Sequence, residues 1–153
     1  MKDSGNIVDL FTIGYEGTEI DKFLDRLVEE KIETLVDVRQ LPLSRKKGFS
    51  KNKLKEAAAL RQIDYVHIRS LGDPKEGRMA ARSGNHDLFV EIFSAHMQTE
   101  EAKAGLGHLQ EIVTHNRSCL LCFEKHHEGC HRAIVVSELE NLLQVEVKHI
   151  FVE

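Results

Sequence analysis

The sequence predicts an α/β fold: a single three-layer α/β/α domain with a mainly parallel five-stranded sheet. Three observations carry this. Short β-rich runs alternate with helical stretches in the order β-α-β-α-β-αα-β-α-β, the pattern of crossover connections. The inner runs are apolar at consecutive positions, as strands covered on both faces are. No repeat, low-complexity segment or Gly/Ser/Pro-rich linker divides the 153 residues, so one domain covers 1–153, with 1–8 read as a flexible N-terminal extension.

The first strand is Leu10-Phe11-Thr12-Ile13, ended by Gly14. Thr18, with Asp21 three residues on, is a weak capping signal. After it Ile20, Phe23, Leu24, Leu27 and Val28 trace the stripe of an amphipathic helix. Thr34 to Val38 is the second strand, apolar like a buried parallel one. A basic loop between Pro42 and Gly48 leads to Ser50, placed to cap a helix carrying Leu54, Ala57, Ala58 and Leu60. Asp64 to Ile68 is the third strand. From Arg69 to Gly84, the residues Gly72, Asp73-Pro74, Gly77 and Gly84 break any period, so the segment reads as a long loop suited to a lid or binding role. Two helices follow, one with Leu88, Phe89, Ile92 and Phe93, the other with Leu106, Leu109, Ile112 and Val113. Ser118 to Phe123 is the fourth and most apolar strand. A helix from about Arg132 to Leu143 and a strand from Val145 to Val152 complete the pattern.

Composition narrows the function classes. The longest apolar runs, Cys119 to Phe123 and Ala133 to Val136, fall far short of the roughly 20 residues that a membrane span needs. The polar start from Met1 to Asn6 predicts no secretory signal. Three cysteines speak for a reducing compartment rather than a disulfide framework, so the cytoplasm is expected. The net charge is −4, yet Arg45, Lys46, Lys47, Lys51, Lys53 and Lys55 form a stretch without an acid. On an acidic body such a stretch is either a solvated loop and helix face or a guide for a polyanion.

Open parallel sheets bind ligands at the carboxyl ends of their strands, and that edge collects the reactive residues. Gly14-Tyr15-Glu16-Gly17 follows the first strand, where the glycines either bind an anion or only make a turn. Asp37 and Arg39 end the second on one strand face, as a structural ion pair or as an acid–base group beside an anion holder. His67 and Arg69 end the third. Cys122-Phe123-Glu124 ends the fourth, and Cys130-His131-Arg132 opens the last helix, with His126 and His127 in the polar turn between. A helix start favours anions and lowers a thiol pKa, so Cys130 is a candidate nucleophile and Arg132 a candidate phosphate fork; a buried thiol with a capping histidine is the plainer alternative. Cys119 and Cys122, three apart in a strand, point to opposite faces and cannot share an ion. Cys122, Cys130 and His131 stay as weak metal candidates.

Taken together, these segments resemble the family filed as domain of unknown function 488, from Thr12 to about Leu139. The resemblance rests on Thr12-Ile13-Gly14-Tyr15-Glu16-Gly17, Val36-Asp37-Val38-Arg39 with Pro42, and Ser44-Arg45-Lys46-Lys47-Gly48-Phe49-Ser50-Lys51. It continues in Tyr65-Val66-His67, Leu71-Gly72, Leu120-Leu121-Cys122-Phe123-Glu124 and Cys130-His131-Arg132. It implies a cytoplasmic prokaryotic α/β domain and names no reaction.

Three functions are expected from these residues. The first is an enzyme acting on a phosphate-bearing substrate, a nucleotide or nucleic acid. Its catalytic candidates are Asp37, Cys122, Glu124, Cys130 and His131, and its anion-binding candidates are Gly14, Tyr15, Arg39, Arg45, Lys46, Lys47 and Arg132. The second is a non-catalytic nucleic-acid module using the basic stretch 45–55, with Tyr15 or Phe49 stacking on a base. The third is a metal- or redox-sensing protein using the cysteines. No cofactor is firmly implied, and a phosphate-bearing small molecule or nucleic acid is the expected partner.

Overall fold

The computed structural model describes residues 7–126 and 130–152. Its sheet has five strands: β1 (Val8–Gly14), β2 (Thr34–Asp37), β3 (Asp64–His67), β4 (Ser118–Cys122) and β5 (Val145–Ile150). They lie in the order β3-β2-β4-β1-β5, and every pairing is parallel. The helices are α1 (Ile20–Glu29), α2 (Lys51–Ala59), α3 (Lys75–Arg82), α4 (His86–His96), α5 (Glu100–His115) and α6 (His131–Glu140).

Strand alternation sorts the side chains into two cores. Phe11, Ile13, Leu35, Cys119 and Leu121 face α1 and α2, meeting Phe23, Leu24, Leu27, Leu54 and Ala58. Leu10, Val36, Leu120 and Cys122 face the opposite layer, where Ala80, Phe89, Phe93, Leu106, Leu109 and Val135 wait. Cys119 and Cys122 therefore lie in different layers, as strand geometry requires. No helix among the described residues is long and apolar enough to cross a membrane.

The chain leaves β1 and β2 along α1 and α2 on one face but leaves β4 along α6 on the other. This reversal follows from right-handed crossovers running in opposite directions along the sheet. The connections after β1 and β4 diverge, and a crevice opens at the carboxyl ends of these neighbours, the switch point where open α/β sheets take ligands.

Several expectations are corrected. The supposed loop from Arg69 to Gly84 holds a 3₁₀ turn (Arg69–Leu71) and α3. This helix buries only Gly77 and Ala80, so it leaves no apolar stripe to read. β1 starts at Val8, paired with Val145, so the expected extension gives way to a strand at its last residue; residues 1–6 lie outside the described ones. Neither capping hydroxyl caps a helix amide. Glu19 rather than Thr18 stands at the start of α1, and Ser50 Oγ bonds Ser44 instead. β2, β3 and β4 each stop one residue earlier than expected, β5 stops at Ile150, and α6 ends at Glu140.

Candidate active site at the carboxyl edge of the sheet

The end of β2 is held by a bidentate ion pair. Asp37, fully buried, accepts from Arg39 Nε at 2.9 Å, from Nη2 at 2.8 Å and from the Arg39 backbone N–H at 3.0 Å. Tyr65, two residues before His67 on β3 and so on the same face as Asp37, donates its hydroxyl to Asp37 Oδ2. Burial alone would lower the Arg39 guanidinium, but Asp37 holds it well above its ordinary value. Burial, with the Asp37 carboxylate behind it, pushes the Tyr65 phenol up. Arg39 Nη1 donates to Tyr15 Oη at 3.3 Å, and its guanidinium sits 5.3 Å from the Tyr15 ring centroid.

The end of β4 and the start of α6 bring two thiols and an imidazole together. Cys130 stands at the N-cap and His131 at the first helical position. Cys122 and Cys130 face each other with Sγ atoms 2.50 Å and Cα atoms 7.9 Å apart. The two sulfurs are within bonding reach of each other, and with an imidazole nitrogen of His131 they form one donor cluster within 4.8 Å. His131 Nε2 lies 2.7 Å from the Val38 carbonyl oxygen. A carbonyl only accepts, so Nε2 carries the proton and Nδ1 keeps its lone pair, 3.7 Å from Cys130 Sγ. Burial pushes His131 down to about 4, so it is neutral at pH 7. Arg132, wholly buried, donates Nη1 to Cys122 Sγ at 3.5 Å and Nη2 to the Lys125 carbonyl at 3.0 Å.

These groups open on a cavity of about 390 Å³. Tyr15, Arg39, Cys122, Glu124, Cys130 and His131 line it, and so do Asp73, Arg78 and Arg82 from the segment around α3. Asp73 is 6% exposed, and its Oδ1 has no hydrogen-bond partner. Burial pushes its carboxyl up to about 7, with Arg78 opposing and the Glu124 carboxylate assisting. Partial burial and Glu16 raise Glu124 as well, against the pull of Arg132. Arg78 Nη1 donates to the Asp73 carbonyl at 2.8 Å and to Gln40 Oε1. Leu41, Leu43 and Phe123, each at least half exposed, form an apolar rim. A larger depression of about 710 Å³ lies beyond Gln40, beside His67, Ser70 and His96. It is open, its lining holds no thiol, and His67 and His96 are bonded to the carbonyls of Arg39 and Ser70. The chemistry therefore concentrates in the smaller cavity.

Not every expected residue takes its expected place. Asp37 is not among the cavity-lining residues, and its two oxygens accept from four donors. Arg39 is committed to Asp37 and is not a free anion holder. Arg132 is buried beneath the turn after β4, with its guanidinium directed at Cys122 Sγ and the Lys125 carbonyl. Gly14 serves a close approach: a Cβ there would stand 1.6 Å from the Glu124 carbonyl oxygen. Tyr15 and Phe49 are buried and stacked on each other at 4.5 Å, so neither offers a face to a base. Arg45, Lys46 and Lys47 lie on a loop outside the cavity lining, braced by Ser44 and Ser50. His127 lies outside the described residues. Asp73, Arg78 and Arg82 are missing from the sequence-based candidates. Their signal was an Asp-Pro start followed by arginines four apart, which is helical spacing.

Residues 19–139, most of the chain, match the family described as Domain of unknown function DUF488. The chain belongs to that family. The matched region starts after the Thr12–Gly17 segment and takes in every cavity-lining residue except Tyr15. No curated protein and no solved structure matches the chain.

Proposed function

We propose that this DUF488 protein is an enzyme acting on a phosphate-bearing substrate, a nucleotide or nucleic acid, in the cavity at the carboxyl edge of its sheet. The observation that carries the reading is Asp73: a buried carboxyl with an unpartnered oxygen, opening on a cavity that arginines also line. A carboxyl raised to about 7 exchanges protons readily near neutrality, which suits a general acid or base. Charge favours an anion. Arg39 is neutralised by Asp37, whereas Arg78 faces the Asp73 carboxyl and Arg82 lines the cavity with it. Two guanidiniums match the charge and fork geometry of a phosphate. The rim of Leu41, Leu43 and Phe123 gives an apolar surface against which a base or sugar packs.

The test is a screen of nucleoside phosphates and short oligonucleotides, read by phosphorus NMR for both binding and turnover. Arg82→Ala is expected to weaken binding at least tenfold. Asp73→Asn is expected to keep binding and lose turnover by about 10²–10⁴-fold, the usual weight of a general acid or base. A wild-type protein that binds no phosphate at low ionic strength sinks the reading, and so does full turnover in Asp73→Asn.

A second reading, a non-catalytic nucleic-acid module, is favoured by the braced loop that holds Arg45 and Lys47 exposed next to the cavity rim. It requires oligonucleotide affinity that falls steeply with salt and is lost in Arg45→Glu/Lys46→Glu/Lys47→Glu, with no turnover under any condition.

A further inference from the structure

We infer that Cys122, Cys130 and His131 form a site for a thiophilic divalent cation, zinc by its chemistry, with one coordination position open to the cavity. The inference is independent of the phosphate reading, because none of the three residues is needed there. Their donor atoms, Cys122 Sγ, Cys130 Sγ and one imidazole nitrogen of His131, all lie within 4.8 Å of one another. Two thiolates and an imidazole are the ligand types zinc selects. The thiolates bring two negative charges, which balance the dication.

The surroundings are those of a ligand set rather than of two packed thiols. His131 Nε2 donates to the Val38 carbonyl at 2.7 Å, which directs the free Nδ1 lone pair toward Cys130. Metal-bound histidines are oriented by this kind of second hydrogen bond. Arg132 donates to Cys122 Sγ, a contact that favours the thiolate. The three ligands come from the last residue of β4, the N-cap of α6 and its first helical residue. All three residues line the cavity. Three protein ligands with a fourth position facing a cavity is the arrangement of catalytic rather than structural zinc.

Cobalt(II) added to the reduced, metal-free protein tests this without an activity assay. One equivalent is expected to bind, with thiolate-to-cobalt charge-transfer bands and the intense d–d bands of tetrahedral cobalt, and zinc is expected to displace it. Cys122→Ser and Cys130→Ser should each lose about half of the charge-transfer intensity and weaken binding more than about hundredfold, beyond the usual loss for an outer-shell partner. Cys119→Ala, on the opposite face of the sheet, should change neither. Weak octahedral spectra, no stoichiometric binding, or charge-transfer bands that survive both serine variants would overturn the site. Folding of each variant is checked by circular dichroism, and the wild-type spectrum decides the matter alone if a variant does not fold.

Discussion

A Cβ built on Gly77 would stand 2.0 Å from Asp73 Oδ1, so the Asp73 carboxyl fills the space that any side chain at 77 would take. Gly77 lies in the first turn of α3, where glycine is about 1 kcal/mol worse than alanine. The missing side chain makes room for an acid. Gly77→Ala is expected to fold with a melting temperature close to wild type, because the helix gains what the displaced carboxyl loses. Asp73 should then titrate nearer its ordinary 3.8, and turnover should fall at least tenfold. Carboxyl-carbon NMR titration beside a thermal melt checks this, and an unmoved Asp73 titration contradicts the packing argument.

The raised Asp73 carboxyl also makes stability depend on pH. Its folded value of about 7 exceeds the ordinary 3.8, so the folded chain keeps this proton longer than the unfolded chain does. The resulting stabilisation is complete below about 3.8 and is lost as pH rises through about 7. At about 1.4 kcal/mol per pKa unit, reduced for water in the cavity, the loss is on the order of 2 kcal/mol. Asp73→Asn removes this component, so its stability relative to wild type should grow steadily across that window. Urea midpoints for both proteins over the same pH range decide it, and a constant difference between them would refute the assignment.

The sheet was readable from sequence because burial on both faces writes itself as apolar runs, most plainly in Ser118 to Cys122. α1 was readable from the stripe of Phe23, Leu24 and Leu27. α3 was not, since Gly77 and Ala80 are its only buried residues and neither marks a hydrophobic face. Missing that helix hid Asp73, Arg78 and Arg82, which reach the cavity only through its placement. The carboxyl edge was legible as a place, and the shared face of Asp37 and Arg39 followed from strand geometry. What local pattern could not supply was the count of donors around Asp37. Tyr65 comes from the neighbouring strand through a register that becomes visible only once β2 pairs with β3.

Asp37 and Arg39 are expected to behave as a stability unit. Removing one partner of a buried pair strands the other charge, at a cost of about 3–5 kcal/mol. Asp37→Ala should lose that much by urea unfolding, and Tyr65→Phe about 1–2 kcal/mol for the hydroxyl donated to Asp37. The double variant Asp37→Ala/Arg39→Ala should cost clearly less than the sum of the single changes, because neither charge is then left alone. Strict additivity would mean that the pair is not coupled as its geometry implies.

Gly14 and Gly107 should respond to the same substitution with opposite signs. A Cβ on Gly14 would meet only backbone: the Glu124 oxygen at 1.6 Å, its carbonyl carbon at 2.3 Å and the Lys125 nitrogen at 2.8 Å. Backbone atoms cannot swing aside as a side-chain tip can, so Gly14→Ala must move the segment after β4. Gly14 pairs in register with Cys122, and that segment carries Glu124 and Phe123 into the cavity. The expected loss is about 3 kcal/mol or more, the upper end of overpacking costs, together with loss of ligand binding. Gly107, exposed on α5, has nothing within 4 Å of its would-be Cβ. Gly107→Ala should therefore gain up to about 1 kcal/mol from helix propensity. Thermal melts of the two variants beside wild type measure both shifts. A Gly14→Ala protein melting with wild type would show that β1 and the turn after β4 do not approach as closely as the cavity requires.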